Sequence, residues 1–286
     1  MASSGSGRPG TLFLVGTPIG NLGDMSDRAR ETLEAVDLVA VEDPRRTGKL
    51  LAHFGIRAKT VSLFEGNERA RTKELMESLR AGLDVAVVSD AGMPGLSDPG
   101  FRLVEACAAE GVDVQVVPGP SAVVSALVVS GLPSARFVFE GFLARRPGER
   151  RLRLETLATD QRTIVFFESP RRVAGTLEEL AVLFGDRRVA VVRELTKLHE
   201  EVLRGRISAL LPGIRKRELK GEVVLVVEGA SEPRPPAKTQ LVAETRSLIE
   251  SGMRKREAAG EIAKRHGVSA NEIYDALLAD PGRPAP

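Results

Sequence analysis

The sequence predicts an α/β protein: two α/β domains followed by a small helical unit. Three observations carry this. Over the first half, short apolar runs alternate with capped, amphipathic segments, the pattern of strands alternating with helices. The central runs, Leu38–Val41 and Val85–Val88, are apolar throughout, so the sheet they form is covered on both faces, as a mostly parallel sheet is. The rhythm changes at Gly131-Leu132-Pro133, and a Pro-rich linker interrupts the chain at Ser231–Lys238 (SEPRPPAK). With 286 residues the chain exceeds what one compact core usually spans. The punctuation divides it into a polar leader (1–10), a first α/β domain (11–132), a second (133–230), a linker (231–240) and a helical unit (241–286).

In the first domain Thr11–Val15 reads as a buried strand, and Ser26 caps a helix that reaches Val36. Leu38–Val41 is a second strand, and Arg45–Phe54 a helix that Gly55 ends. A short strand starts at Val61. Asn67 is expected to cap a long helix to Arg80, with Gly82 as its stop signal. Val85–Val88 is a continuous apolar strand, and a Gly- and Pro-rich loop covers Ser89–Pro99. A helix from Gly100, a strand Val114–Val117 and an apolar helix Ser121–Val129 follow. In the second domain strands are expected at Phe137–Phe139, Thr163–Phe167, Val189–Val192, Glu201–Leu203 and Val223–Val227, forming a more mixed sheet. Helices are expected at Glu149–Ala158, Arg172–Phe184 and Ile207–Ile214. Beyond the linker, Arg254–Arg265 carries Ala258, Ala259, Ile262 and Ala263. Gly267 then turns the chain, and Ser269-Ala270-Asn271-Glu272 is a capping box that opens a helix with Ile273, Tyr274 and Leu277. This is a helix-turn-helix pattern.

Composition removes several function classes. The formal net charge is only +2, so any RNA contact must come from local clusters. Two clusters stand out: Arg145, Arg146, Arg150, Arg151 and Arg153, and Arg215, Lys216, Arg217 and Lys220. With no Trp and one Tyr, aromatic stacking is expected to contribute little. A single cysteine excludes a disulfide framework; Cys107 falls in an apolar pattern with Leu103 and Val104 and reads as a buried structural thiol. His53, His199 and His266 have no ligand spacing, so no metal site is expected. No stretch is long and apolar enough to cross a bilayer, and MASSGSGRPG lacks the apolar core of a signal peptide. A cytoplasmic location is expected.

Open α/β sheets bind ligands in the loops that follow their strands. The first such loop is Gly16-Thr17-Pro18-Ile19-Gly20-Asn21-Leu22-Gly23. Its spacing departs from the dinucleotide fingerprint, Pro18 removes a backbone donor, and no helix starts before Ser26. A rigid turn facing a flat, uncharged ligand fits better than a phosphate cradle. The second loop, Glu42-Asp43-Pro44-Arg45-Arg46-Thr47, crowds two carboxylates against two guanidiniums. The arginines suit phosphate and a carboxylate suits a hydroxyl, although Asp43 as a helix cap is an alternative. Leu63-Phe64-Glu65-Gly66-Asn67 is weaker. The strongest signal is Ser89-Asp90-Ala91-Gly92-Met93-Pro94-Gly95-Leu96-Ser97-Asp98-Pro99-Gly100, where small residues admit a close ligand and Asp90 faces ribose hydroxyls or a sulfonium. Pro118-Gly119-Pro120-Ser121-Ala122 adds free N–H groups at a helix start.

In order, GTPIGN (16–21), EDPRR (42–46), SDAGMPG (89–95), PGPSA (118–122), FFESPRR (166–172), RELTK (193–197) and GEVVLVVEG (221–229) resemble the small-subunit ribosomal RNA ribose 2′-O-methyltransferases of the tetrapyrrole methylase superfamily, over about residues 11–230. The resemblance implies a class III methyltransferase fold with S-adenosylmethionine folded in the cleft between two α/β domains. It implies cofactor contacts from Pro18, Asp90, Ala91, Gly92, Met93, Ser121 and Ala122, with Phe167, Glu168 and Ser169 closing the site. It also implies a cytidine ribose of small-subunit rRNA, or the 30S particle, as acceptor and a homodimer as the working form. The family often has histidines around positions 64 and 66, where this chain has Phe64 and Gly66. Glu42, Asp43 and Glu65 are therefore the candidates for base or orienting group, with Arg45, Arg46, Arg145, Arg146, Arg150 and Arg151 on the RNA. Two alternatives stay open: a small-molecule methyltransferase acting on a tetrapyrrole-like substrate, and a non-catalytic nucleic-acid-binding protein that reads through its terminal helices.

Overall fold

The computed structural model describes residues 8–231 and 236–279. They fall into two compact units divided after Ala230. In the first unit a parallel sheet is built from β1 (Leu12–Val15), β2 (Leu38–Val41), β3 (Thr60–Ser62), β4 (Val85–Val88) and β5 (Val114–Val117), in the order β3-β2-β4-β1-β5. Helices α1 (Asp27–Ala35), α2 (Pro44–His53), α3 (Glu68–Arg80), α4 (Phe101–Glu110) and α5 (Ala122–Ser130) connect and follow these strands. Strands β2 and β4 are buried at all four positions, which is why their sequences are unbroken apolar runs. The chain leaves β1 toward β2 and leaves β4 toward β5. These neighbouring strands therefore send their connections in opposite directions, and a crevice opens between them at their C-terminal ends.

The second sheet holds β6 (Phe137–Phe142), β7 (Thr163–Glu168), β8 (Arg188–Arg193), β9 (Glu201–Arg206) and β10 (Val223–Val227), in the order β6-β7-β10-β8-β9. Only β6 and β7 pair in parallel, so the sheet is mixed, as expected. One face is covered by α6 (Pro147–Leu157), α7 (Val173–Phe184) and α8 (Ile207–Arg215) around Leu154, Leu177, Leu180 and Ile207. The other face packs against α5, whose Val123, Ala126 and Leu127 meet Val165, Ala190, Val192, Val224 and Val226. The last helix of the first domain thus supplies half the core of the second, and the expected boundary at residue 132 lies inside one compact unit.

Several elements differ from expectation for local reasons. Asn67 makes no cap hydrogen bond to α3; its amide oxygen accepts from the Phe64 N–H (2.8 Å) and its amide nitrogen donates to the Ser62 carbonyl (3.1 Å), folding the chain back on itself. Helix α6 starts earlier than expected, at Pro147, because proline is well suited to the first turn. Of the expected polar leader, residues 1–7 lie outside the described residues, while the Gly10 N–H donates to the Leu79 carbonyl (2.8 Å). Cys107 is buried beside Met76, and burial pushes its thiol up to about 11.

The second unit has three helices among its described residues: α9 (Lys238–Glu250), α10 (Lys255–His266) and α11 (Ala270–Ala279). Leu241 of α9 joins Ala259, Ile262, Ala263 and Ile273 in one small core. Helix α9 begins inside the expected linker and has no side-chain cap, so no start signal marks it. No helix of the described residues is long and apolar enough to cross a membrane.

Candidate active site in the cleft between the two sheets

The crevice between β1 and β4 is held open by backbone packing. A Cβ at Gly16 would lie 2.6 Å from the Gly119 nitrogen and 2.7 Å from the Met93 sulfur, and a Cβ at Gly119 would lie 2.8 Å from Gly16. The turns after β1 and β5 therefore touch main chain to main chain, which only two glycines allow. The turn after β4 is tied to the same place: Thr17 and Gly92 exchange both backbone hydrogen bonds (2.9 and 3.1 Å), and Gly92 adopts φ +84°. The loops after β2 and β4 lock reciprocally. The Asp43 N–H donates to the Asp90 carboxylate (3.1 Å), and the Asp90 N–H donates to the Glu42 carboxylate (3.2 Å).

Beside these loops lies a cavity of about 360 Å³ lined by Ile19, Ala91 and Ala122 from the first sheet's loops. Phe142, Phe167, Glu168, Ser169, Pro170 and residues 221–224 line it from the second sheet. Its size is that of small-molecule sites. Of the expected cofactor residues, Ala91, Ala122, Phe167, Glu168 and Ser169 line the cavity itself. Pro18, Gly92 and Met93 do not line it: Pro18 is buried next to Ile19, Gly92 gives its N–H to Thr17, and the Met93 sulfur lies against Gly16. Ser121 caps α5, its hydroxyl facing the Val124 N–H at 3.5 Å, so its side chain serves the helix start that presents Ala122.

Glu168 plays a different part from the one expected. Its carboxylate is buried and internally satisfied: it accepts from the Ser169 N–H (2.7 Å) and the Thr176 hydroxyl (2.6 Å), and pairs with Arg172 (3.3 Å). It holds the turn after β7 in shape and faces the cavity without a free oxygen to offer. Glu168→Ala leaves the Ser169 N–H and the Thr176 hydroxyl without their acceptor and removes the Arg172 ion pair, and is expected to cost about 2–4 kcal/mol in urea unfolding; Glu168→Gln, which keeps an acceptor for the Ser169 N–H, is expected to cost less.

The three expected acid candidates separate. Asp43 is the N-cap of α2: its carboxylate accepts from the Arg45 N–H (2.9 Å) and forks with the Arg45 guanidinium (3.1 and 2.8 Å). These hydrogen bonds hold its carboxyl down at about 2, too weak a base for the role expected of it. Glu65 is exposed on the turn before α3. Glu42 stays at the crevice, half-buried, orienting the loop of Asp90. The acid that stands out is Asp98, which lies in the same motif as Asp90 and which the sequence alone does not single out as a site residue. Burial, then the negative charges of Glu42 and Asp90, push its carboxyl up to about 6, against a hydrogen bond from Ser89. Its neighbour Ser97 takes φ +63°, rare for a residue with a side chain.

The arginines are also partnered. Arg46 pairs with Asp90 (3.2 Å), and Arg45 with Asp43. In the expected basic cluster, Arg146 pairs with Glu149 (3.0 Å), Arg151 with Glu155 (2.8 Å) and Arg153 with Glu140 (2.6 Å). Arg150 is largely buried against Glu179 and belongs to the packing of α6 on α7. Arg145 is exposed. The exposed pairs of Arg146 and Arg151 are weak enough to exchange for phosphate; those of Arg150 and Arg153, with buried partners or burial of their own, are not.

The cleft fits S-adenosylmethionine better than a nucleotide with a pyrophosphate. Glu42, Asp90 and Asp98 gather at the ends of β2 and β4, a setting that suits a cation with ribose hydroxyls better than a pyrophosphate. The comparisons with known proteins agree. Residues 11–211 match the family of tetrapyrrole (corrin/porphyrin) methylases. The chain is 44% identical over 272 residues to a Synechocystis protein named ribosomal RNA small subunit methyltransferase I, covering 94% of this chain and 98% of that one. A Thermotoga maritima protein of the same name is 49% identical over 220 residues, 77% of this chain and 99% of its own. Among solved structures, uroporphyrin-III-C-methyltransferase from Thermus thermophilus aligns with a TM-score of 0.55 at 23% identity, covering 76% of this chain and 94% of that one. The cobalamin biosynthetic enzyme cobalt precorrin-4 methyltransferase aligns with 0.57 at 19%, over the same shares; both likenesses are of fold. The chain belongs to the tetrapyrrole (corrin/porphyrin) methylase family, as a methyltransferase whose methyl donor is S-adenosylmethionine.

Proposed function

We propose that this cleft methylates the ribose 2′-hydroxyl of a cytidine in small-subunit ribosomal RNA. The observation that carries the reading is the cleft: a cavity of about 360 Å³ walled from both sheets, with the acids Glu42, Asp90 and Asp98 in the loops that flank it, where a ribose hydroxyl needs a proton acceptor. The relatives named for small-subunit rRNA cover nearly the whole chain and support the same acceptor.

Bound, the cofactor supplies a methyl group already activated by its sulfonium. The chain's own residues hold and align. Ala91, Ala122, Phe167 and Ser169 wall the nucleoside, while Pro18, Gly92 and Met93 keep that wall rigid. Asp90, fixed by Asp43 and Arg46, orients ribose hydroxyls. Asp98 takes the acceptor proton, its affinity for protons kept high by burial and then by the charge of Glu42. Arg45, Arg46, Arg145, Arg146 and Arg151 exchange carboxylate partners for RNA phosphates. Positioning of this kind accounts for several orders of magnitude in rate. In this reading the chemistry belongs to the first unit and the terminal helices are accessory, which the Thermotoga relative supports, 99% of its length being matched over 220 residues. The working form is a cytoplasmic homodimer.

The test is transfer of labelled methyl from S-adenosylmethionine to purified small ribosomal subunits, beside a uroporphyrinogen. Label is expected in RNA, and Asp90→Ala, which frees Arg46 and the Asp43 N–H, is expected to reduce it by at least about 100-fold. Label entering the tetrapyrrole alone contradicts the reading.

A further inference from the structure

Phe142 carries an inference beyond the methyl-transfer cleft itself. Strand β6 runs parallel to β7, with Phe139 opposite Val165 and Gly141 opposite Phe166, so Glu140 is one residue extra. This bulge changes which way the strand's end faces. In an unbroken strand, residues three apart point to opposite faces, and Phe142 would join the core under α6 and α7. With the extra residue, Phe139 and Phe142 share the face of Phe167, at ring-centroid distances of 4.9 and 5.4 Å. Bulges next to active sites re-aim side chains in this way.

The bulge is held on both sides. The Glu140 carboxylate, almost fully buried, is forked by Arg153 of α6 (2.6 and 2.7 Å). Gly141 takes φ +63°, and a Cβ there would stand 3.0 Å from the Ser97 hydroxyl, next to Asp98. The result is a phenyl ring that lines the cavity yet remains 63% exposed at its mouth. Arg145, exposed, follows three residues later.

An aromatic face at the mouth of a ribose-methylating cleft has one natural occupant. To bring a 2′-hydroxyl to the cofactor, the nucleotide must leave its neighbours, and an unstacked base needs a new stacking partner. We propose that Phe142 is the stacking platform for the base of the nucleotide being methylated, presented by the Glu140 bulge, with Arg145 toward the adjoining phosphate. This rests on the rRNA reading above.

The chain has no tryptophan, so Phe142→Trp carries a single one. Its emission is expected to be quenched on adding assembled small ribosomal subunits, and its KM for them to stay within about threefold of wild type. Phe142→Leu keeps apolar bulk without an aromatic face, and its KM for small subunits is expected to rise about 5- to 100-fold. Its dissociation constant for S-adenosylhomocysteine, by calorimetry, is expected to stay within about twofold. An unchanged KM in Phe142→Leu, an unquenched tryptophan, or a loss of S-adenosylhomocysteine affinity that accounts for the defect overturns the platform. If wild type transfers no methyl to the subunits, the rRNA reading itself falls; if wild type transfers and Phe142→Leu matches it, only the platform does.

Discussion

Asp98→Asn is expected to lower kcat for methyl transfer by about 100- to 1,000-fold and to leave affinity for S-adenosylhomocysteine within about twofold. The carboxyl is half-buried, and Glu42 and Asp90 add negative charge around it, so it holds its proton up to about pH 6. A base of that strength is mostly ionised at neutral pH and still able to accept a proton. Wild-type kcat/KM should therefore rise with pH, bend near 6 and level off, and the bend should vanish in the variant. Stability moves the other way. Because the folded value lies above the ordinary 3.8, the protonated form is favoured by folding, and stability is lost as pH rises from about 4 through about 6. The full shift corresponds to about 3 kcal/mol, and solvent screening of a partly exposed group reduces this to the order of 1 kcal/mol. Urea unfolding should find Asp98→Asn more stable than wild type by that amount at pH 8 and equal to it at pH 3. A stabilised variant with full activity would mean that Asp98 is a burdened acid with no part in the chemistry.

Gly16→Val is expected to abolish cofactor binding, with at least a 100-fold weaker dissociation constant, and to destabilise the fold by about 2–4 kcal/mol. The first carbon of the new side chain meets Gly119 main chain and the Met93 sulfur at once, at 2.6–2.7 Å. Met93 can swing aside, but backbone cannot. The turns after β1 and β5 must part, and the walls carrying Ile19 and Ala122 part with them. Gly48, exposed on α2 with open space where its Cβ would be, is the control. Gly48→Ala should leave binding unchanged and add up to about 1 kcal/mol of helix stability. Equal binding by Gly16→Val would show that the two-glycine contact is not what shapes the cavity.

The strands and the loops that follow them were legible in the sequence because burial on both faces leaves a plain record: β2, β4 and β10 are apolar at every position. The loops were legible for the opposite reason, since Gly, Pro and Asp gathered after a strand have little structural use otherwise. What escaped depends on contacts between distant residues. That Asp43 caps α2 was open in the sequence; that Asp90, from the loop after β4, fixes the Asp43 backbone and pairs with Arg46 was not. Asp98 is pushed up by burial, then by Glu42 from the loop after β2 and by Asp90 at the start of its own loop. Arg150 and Arg153 of the basic cluster read as part of an RNA face, but their acid partners Glu179 and Glu140 come from α7 and β6. The side on which Phe142 stands is set by one unpaired residue, and alternation along β6 alone predicts the wrong face.

The most direct test of the account is chemical. A 2′-O-methyl group removes the hydroxyl that alkali needs to cleave the next phosphodiester. Small subunits methylated by this protein with labelled cofactor should, after alkaline hydrolysis of their RNA, yield the label in one alkali-resistant dinucleotide whose first base is cytosine. Label recovered in mononucleotides would place the methyl on a base, and would contradict ribose methylation by this cleft.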